Sequence, residues 1–307
     1  MKVLTSPSSF GKISQAPFDL LVENGFEYLN NPYGRRLTED EVIEHAAGCV
    51  GIVAGVEPIT KRVMDALPDL KVISRVGVGM DSVDLEYAKE KGIAVVNTPN
   101  GPTLPVAELT MGVTFALLRK IPMAHANLKQ GIWKKETGNL LSGKTIGIIG
   151  LGRIGRKVAE MFIALGNPVI GYDLYPNHEW ANENDVQVLA MEEVLQQADI
   201  VSLHIPASKD GSPVFGKEHL DLMKESALLI NLARGGVVEE GSLYSALKEN
   251  RIKGAAIDVF VNEPYSGNLL ELSNVVVTPH LGSYAKEAKL LMEMDAVRNF
   301  LNQIEAI

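Results

Sequence analysis

Residues 144–166, KTIGIIGLGRIGRKVAEMFIALG, restrict the possible folds of this chain more than any other stretch. Gly150, Gly152 and Gly155 stand in the order G-x-G-x-x-G, directly after an apolar run and at the head of an amphipathic helical pattern. A second apolar run, PVIGYD, follows and ends in Asp173. Glycine trios alone are common turns, but a strand, this turn, a helix and a strand ending in an acid form a dinucleotide-binding unit. Gly150 permits the tight turn, Gly152 lets a pyrophosphate approach the backbone, and Gly155 lets the helix pack close to the strand. The helix start, at Arg153 and Ile154, offers unpaired N–H groups and a positive dipole end to phosphate. Asp173 is placed to accept hydrogen bonds from ribose hydroxyls and to repel a 2′-phosphate, so the expected cofactor is NAD and not NADP.

The rest of the chain repeats the alternation of short apolar runs with helical patterns, which defines an α/β protein with parallel sheets. In the first third KVLTS, VGIVAG, LKVISRVG and IAVVNTP read as four strands. After the glycine motif PVIGYD, ADIVSLHIP, ALLINLA, GAAIDVF and NVVVTPH continue the series, and their unbroken apolar character implies helices on both faces. Between the two series, NTPNGPTLPVAELTMGVTFALLRKI reads as a Pro/Gly-rich turn entering one long helix, a boundary between domains. The final helical stretch, YAKEAKLLMEMDAVRNFLNQI, is expected to return to the first domain. The expected fold is two doubly wound parallel-sheet domains. Residues 1–98 and 282–307 form one, discontinuous in sequence, and residues 99–281 form the other.

A chain of 307 residues is long enough for two cores. Its formal charge of −9 argues against nucleic acid or anionic membrane as a partner and leaves a small molecule as the expectation. No apolar run reaches bilayer-spanning or signal-peptide length. Cys49 is the single cysteine, which excludes an internal disulfide or thiolate metal cluster and suits a reducing cytosol.

Ligands of open α/β sheets collect at the carboxyl ends of the strands, so the polar residues placed there are the site candidates. They are His204, Arg234, Asp258, Glu263 and His280. Arg234, ahead of two glycines, can fork onto a carboxylate. Glu263 and His280 add a carboxylate and a group suited to proton transfer near neutrality. His45, His125, His178 and His219 lie in helical or loop stretches without paired ligands, and no metal site is expected.

Three stretches together resemble the D-isomer-specific 2-hydroxyacid dehydrogenases: GIIGLGRIGRKVAEMFIALGNPVIGYD, NLARGGVVEEGSLYSALKENRIKGAAIDVFVNEP and VVVTPHLGS. The resemblance implies a Rossmann-type cofactor domain and a flavodoxin-like substrate domain, with a homodimer formed through the cofactor domain. It implies that Arg234 binds the substrate carboxylate and carbonyl, that His280 gives its proton to the carbonyl oxygen, and that Glu263 hydrogen-bonds His280 and fixes its ring. Thr98, His204, Ile205, Pro206, Leu232, Ala233, Asp258, Gly282 and Ser283 are implied as further cofactor contacts, with Asp258 on the nicotinamide amide. Within the family, SRVGVGMDSVDLEYAKEKGIAVVNTPNG and NTPNGPTLPVAELTMG are most similar to the branch acting on 3-phosphoglycerate. Arg75 matches a phosphate-binding position there, and the turn Val76, Gly77, Val78 is implied to present backbone N–H groups to the substrate carboxylate. Glyoxylate or hydroxypyruvate reduction is the alternative activity, and an NAD-sensing corepressor-like binding protein the alternative of another class. HIPASKDGSPVFG departs from the family pattern by lacking Leu-Thr after H-x-P. The chain ends at Ile307, so no C-terminal regulatory domain and no serine feedback through one are expected.

Overall fold

Alternating apolar runs and amphipathic helices resolve into two parallel sheets in the computed structural model, which describes residues 1–208 and 210–307. The sheets belong to two units, residues 1–102 with 283–307 and residues 103–282.

The first unit runs β1 (Lys2–Thr5), α1 (Ala16–Glu23), β2 (Glu27–Asn30), α2 (Glu39–His45), β3 (Cys49–Ala54), α3 (Lys61–Ala66), β4 (Val72–Arg75), α4 (Leu85–Glu90) and β5 (Ala94–Asn97). Its strand order, β2-β1-β3-β4-β5, is the flavodoxin-like one. Side chains alternate across each strand, so Val3, Val53 and Val72 reach one apolar cluster while Leu4, Ile52 and Ile73 reach the other. The C-terminal helix (Lys286–Glu305) packs on the first of these faces through Ala296, Val297 and Phe300. Four strands were expected here and five are found. The additional β2, EYLN, pairs only with β1 and has no fully buried residue, so its sequence carries no unbroken apolar run.

The second unit opens with α5 (Thr103–Arg119) and α6 (Ile121–Lys129). The single helix expected here is interrupted because Lys120 takes a left-handed φ of 53° and a proline stands in the first turn that follows. Then come β6 (Ile146–Ile149), α7 (Arg153–Ala164), β7 (Val169–Tyr172), α8 (His178–Glu183), β8 (Gln187–Val188), α9 (Met191–Gln197) and β9 (Ile200–Leu203). The unit closes with α10 (Lys217–Leu222), β10 (Leu228–Asn231), α11 (Glu240–Lys248), β11 (Gly254–Ile257) and β12 (Val275–Val277).

The order β12-β11-β10-β9-β6-β7-β8 is the Rossmann arrangement extended by one strand. Every residue of β6, β9, β10 and β11 is buried, as the continuous apolar runs required. Val158, Ala159 and Phe162 of α7 cover one face with Met111 and Leu118 of α5, and Leu195, Leu220 and Leu243 cover the other. The sequence reading missed β8, which has two residues and forms the edge beyond β7. Strand order reverses at β6, and the crevice between β6 and β9 is where such sheets take ligands.

Candidate active site

The phosphate turn lies at that crevice. Gly150 follows β6 with φ +99°, and a Cβ there would stand 2.6 Å from the carbonyl oxygen of His204, the residue after β9. A Cβ on Gly155 would collide with the carbonyl of Gly150, so only glycine lets α7 sit this close to the turn. A Cβ on Gly152, by contrast, would meet nothing within 4 Å. Gly152 is the N-cap of α7 and no side chain caps the helix, which leaves the first turn, with exposed Arg153 and half-buried Ile154, open to an anion. A tight turn, a close packing point and an open approach thus fall on the three glycines in the order a dinucleotide pyrophosphate requires, and the residues present fit NAD.

Asp173 follows β7 and is half-buried. Its Oδ2 accepts from the Leu151 N–H at 2.7 Å and its Oδ1 from the Tyr175 N–H at 2.8 Å. The carboxylate therefore fastens the phosphate turn to the end of β7 and holds one negative charge beside it.

His204 donates its backbone N–H to the Ile149 carbonyl at 2.7 Å, and its Nε2 lies 2.9 Å from Ser202 Oγ. The residue keeps partial exposure, but the ring is enclosed by protein, and desolvation pushes its pKa down to about 4. His204 is therefore neutral at pH 7. Ile205 and Pro206 continue the same loop past β9, while Lys209 of this loop lies outside the described residues.

The catalytic candidates end the next three strands. At the end of β10, Asn231 shapes the turn: its Oδ1 accepts from the Ala233 N–H and its Nδ2 donates to the Arg234 carbonyl, both at 3.1 Å. Leu232 is buried beneath it, and Arg234 Nη1 donates to the Ala233 carbonyl at 2.7 Å. Gly235 then passes so close to the Phe260 carbonyl that any side chain would clash, which presses the arginine turn against the loop after β11. On that loop Glu263 accepts from the Phe260 N–H at 3.1 Å and holds His280 Nδ1 at 2.9 Å from Oε2. The His280 side chain is 49% exposed, so the rest of the ring is accessible from solvent. His280 follows β12 with a left-handed φ of 54°.

Asp258 follows β11 and is fully buried. Its Oδ1 accepts from Thr278 Oγ1 at 2.6 Å and from the Leu281 N–H at 2.7 Å, and its Oδ2 from the Gly282 N–H at 2.8 Å. Thr278, Asn231 and the Phe260 N–H were not among the sequence candidates. The signal for Asn231 was available, since an asparagine at a strand end ahead of L-A-R-G-G is a strong former of a side-chain-closed turn. Thr278 had none, because its partner lies twenty residues away.

The remaining candidates belong to the first unit. Arg75 ends β4 and donates to the Val76 carbonyl. Thr98, buried after β5, donates its N–H to the Gly77 carbonyl at 3.0 Å and accepts the Gly77 N–H on Oγ1 at 2.7 Å. The Val76 N–H donates to Ala54 at 2.8 Å. Of the three N–H groups expected to face a substrate anion, those of Val76 and Gly77 donate to strand and loop partners, and that of Val78 has no acceptor among the described residues. Ser283 begins the segment that returns to this unit.

A phosphate turn at a Rossmann switch point, with a histidine–carboxylate pair and an arginine past the ends of strands of the same sheet, defines a dinucleotide-binding fold. The family model D-isomer specific 2-hydroxyacid dehydrogenase, NAD binding domain, matches residues 111–282. The chain belongs to this family, and its cofactor is NAD.

D-3-phosphoglycerate dehydrogenase of Methanocaldococcus jannaschii is 44% identical over 258 residues, which are 82% of this chain and 49% of that protein. The chain spans about half the length of the curated relatives it matches. Among solved structures, the TT0316 protein of Thermus thermophilus superposes with a TM-score of 0.91 at 36% identity, covering 100% of this chain and 97% of that one. A phosphoglycerate oxidoreductase of Vibrio cholerae gives a TM-score of 0.83 at 29% identity, with both chains fully covered.

Proposed function

We propose that this protein is an NAD-dependent oxidoreductase interconverting a small D-2-hydroxy acid and its 2-keto acid, with 3-phosphoglycerate and 3-phosphohydroxypyruvate as the first pair to test. The observation that carries the reading is the 2.9 Å pairing of His280 Nδ1 with Glu263, on the sheet edge that also bears the phosphate turn. Bound NAD supplies the hydride acceptor. Arg234 binds the substrate carboxylate with a forked guanidinium. Glu263 fixes the tautomer and plane of His280, leaving Nε2 to take the hydroxyl proton during oxidation and return it to the carbonyl oxygen during reduction. The family resemblance assigns the substrate's phosphate to Arg75.

In this reading the second unit holds the cofactor through Gly150, Gly152, Arg153, Ile154, Gly155, Asp173, His204, Ile205, Pro206, Leu232, Ala233, Asp258 and Gly282. A homodimer through the cofactor unit is supported by its unpartnered apolar groups on α5, α6 and the segment after them. Phe115, Ile121, Leu128, Ile132, Trp133 and Leu140 are all exposed, Trp133 by 81%. The buried free thiol of Cys49 supports a cytosolic location. Among the described residues no helix is long and apolar enough to cross a membrane.

The test is NADH consumption with 3-phosphohydroxypyruvate, hydroxypyruvate and glyoxylate. The highest kcat/KM is expected for the phosphorylated acid. A preference for either of the others assigns the protein to glyoxylate/hydroxypyruvate reduction. Absence of turnover on all three, together with capture of a partner protein, would replace the enzyme by an NAD-sensing binding protein.

A further inference from the structure

Asp258, which the family resemblance sets on the nicotinamide amide, also has its carboxylate engaged by the chain itself. Three donors from the turn after β12, Thr278 Oγ1 and the N–H groups of Leu281 and Gly282, converge on its two oxygens. Its backbone is engaged as well, because the His280 N–H donates to the Asp258 carbonyl at 2.9 Å and to the Thr278 carbonyl at 3.0 Å. The residue enclosed by these bonds is His280, which holds a left-handed φ of 54° that a residue with a Cβ enters at a cost. Such a conformation persists where its surroundings over-determine it. We infer that Asp258 is a positioning residue that acts through His280. With Thr278, it clamps the 278–282 turn so that the imidazole is presented at the height where Glu263 meets it.

The chemistry of the clamp distinguishes a carboxylate from an amide. Donors reach both oxygens, so asparagine must turn its NH2 group toward a donor whichever way it is placed. Asp258→Asn therefore breaks the clamp while keeping the shape of the side chain. Thr278→Val removes a single donor and leaves the carboxylate and the two backbone donors in place.

The inference rests on the proposed dehydrogenase reading for its kinetic arm. With the best substrate of the panel, Asp258→Asn is expected to lower kcat by on the order of 100-fold, the scale of an ångström-sized misplacement of a reacting group. Thr278→Val should lower it by roughly tenfold, the scale of one hydrogen bond to a charged group, and NADH Kd should stay within about 3-fold in both. In a His280→Ala background Asp258→Asn should cost nothing further, since the group it positions is gone.

A clamp acting on the cofactor would give the reverse pattern: a rise in NADH Kd of tenfold or more, and a full multiplicative loss in the double variant. That pattern overturns the inference. A second readout does not depend on turnover, namely the His280 imidazole signal in histidine-labelled protein, assigned with His280→Ala. The signal should move in both Asp258→Asn and Thr278→Val. If it moves while no substrate turns over, the clamp stands and the dehydrogenase reading falls; if it is unchanged in both variants, the clamp is refuted whatever the kinetics.

Discussion

Gly152 and Gly155 stand three residues apart in one motif and should fail in opposite ways when each is given a methyl group. At Gly155 the new Cβ lands on the Gly150 carbonyl, a backbone atom held between β6 and α7 that has nowhere to go. Overpacking of this kind costs roughly 1–3 kcal/mol. For a unit the size of residues 103–282 each kcal/mol shifts the melting midpoint by about 2–4 °C, so Gly155→Ala should lower it by roughly 2–12 °C. At Gly152 the methyl enters open space and φ is −70°, which alanine adopts freely, so the stability cost stays below about 1 kcal/mol. That methyl instead stands over the uncapped first turn of α7. Losing one charge-assisted hydrogen bond to phosphate, worth about 1.5–3 kcal/mol, should weaken NADH roughly 10- to 100-fold. Thermal melts of the apo-protein and fluorescence titration with NADH separate the two effects. The assignment of the glycines fails if Gly152→Ala melts as low as Gly155→Ala, or if Gly152→Ala binds NADH like the parent.

Further outcomes follow from the same geometry. Glu263→Gln should lower kcat by on the order of 100-fold with little change in NADH Kd, since the carboxylate touches His280 and not the phosphate turn; stopped-flow kinetics and equilibrium titration check this. Asp173→Ser should narrow the preference for NAD over NADP by removing the negative charge beside the ribose, and an unchanged kcat/KM ratio would count against it. For the proposed homodimer, light scattering should give a dimer mass for the parent and a monomer mass for Trp133→Glu, and a parent of monomer mass would refute the dimer. Glu293, wholly buried in the C-terminal helix, accepts from the Gly11 N–H at 3.1 Å, and desolvation raises its pKa. Its protonated form is thus favoured by folding, so its contribution is full below the ordinary carboxyl range and is lost as pH rises through the folded pKa. Glu293→Gln should therefore raise the melting midpoint at pH 8 and leave it nearly unchanged at pH 4.

The motif from Gly150 to Asp173 was legible because one contiguous stretch supplies strand, turn and helix, and each glycine meets its constraint within a few residues or at the neighbouring strand. The central strands were legible for a similar reason: burial on both faces leaves an unbroken apolar run. Edge strands β2 and β8 expose their residues and carry no such run. The break at Lys120 is a backbone event that an apolar helical period does not record. In the candidate site, the residues at strand ends could be named, but their partners could not. Asp258 with Thr278 and Gly77 with Thr98 are pairs about twenty residues apart, formed only when neighbouring strands align. The Val76–Gly77–Val78 turn shows the consequence, since the resemblance points to three donors and gives no sign of the Ala54 and Thr98 acceptors that two of them meet in the fold.

The most direct test of the account follows NADH formation by absorbance with NAD and the D- and L-enantiomers of 3-phosphoglycerate, glycerate and lactate, for the parent protein and for His280→Ala. NADH is expected from D-enantiomers only, with the rate lowered at least about 100-fold in the variant while NADH affinity is retained. No NADH from any D-acid, or an equal rate from His280→Ala, would contradict the assignment of His280 as the proton-transferring group of a D-2-hydroxyacid dehydrogenase.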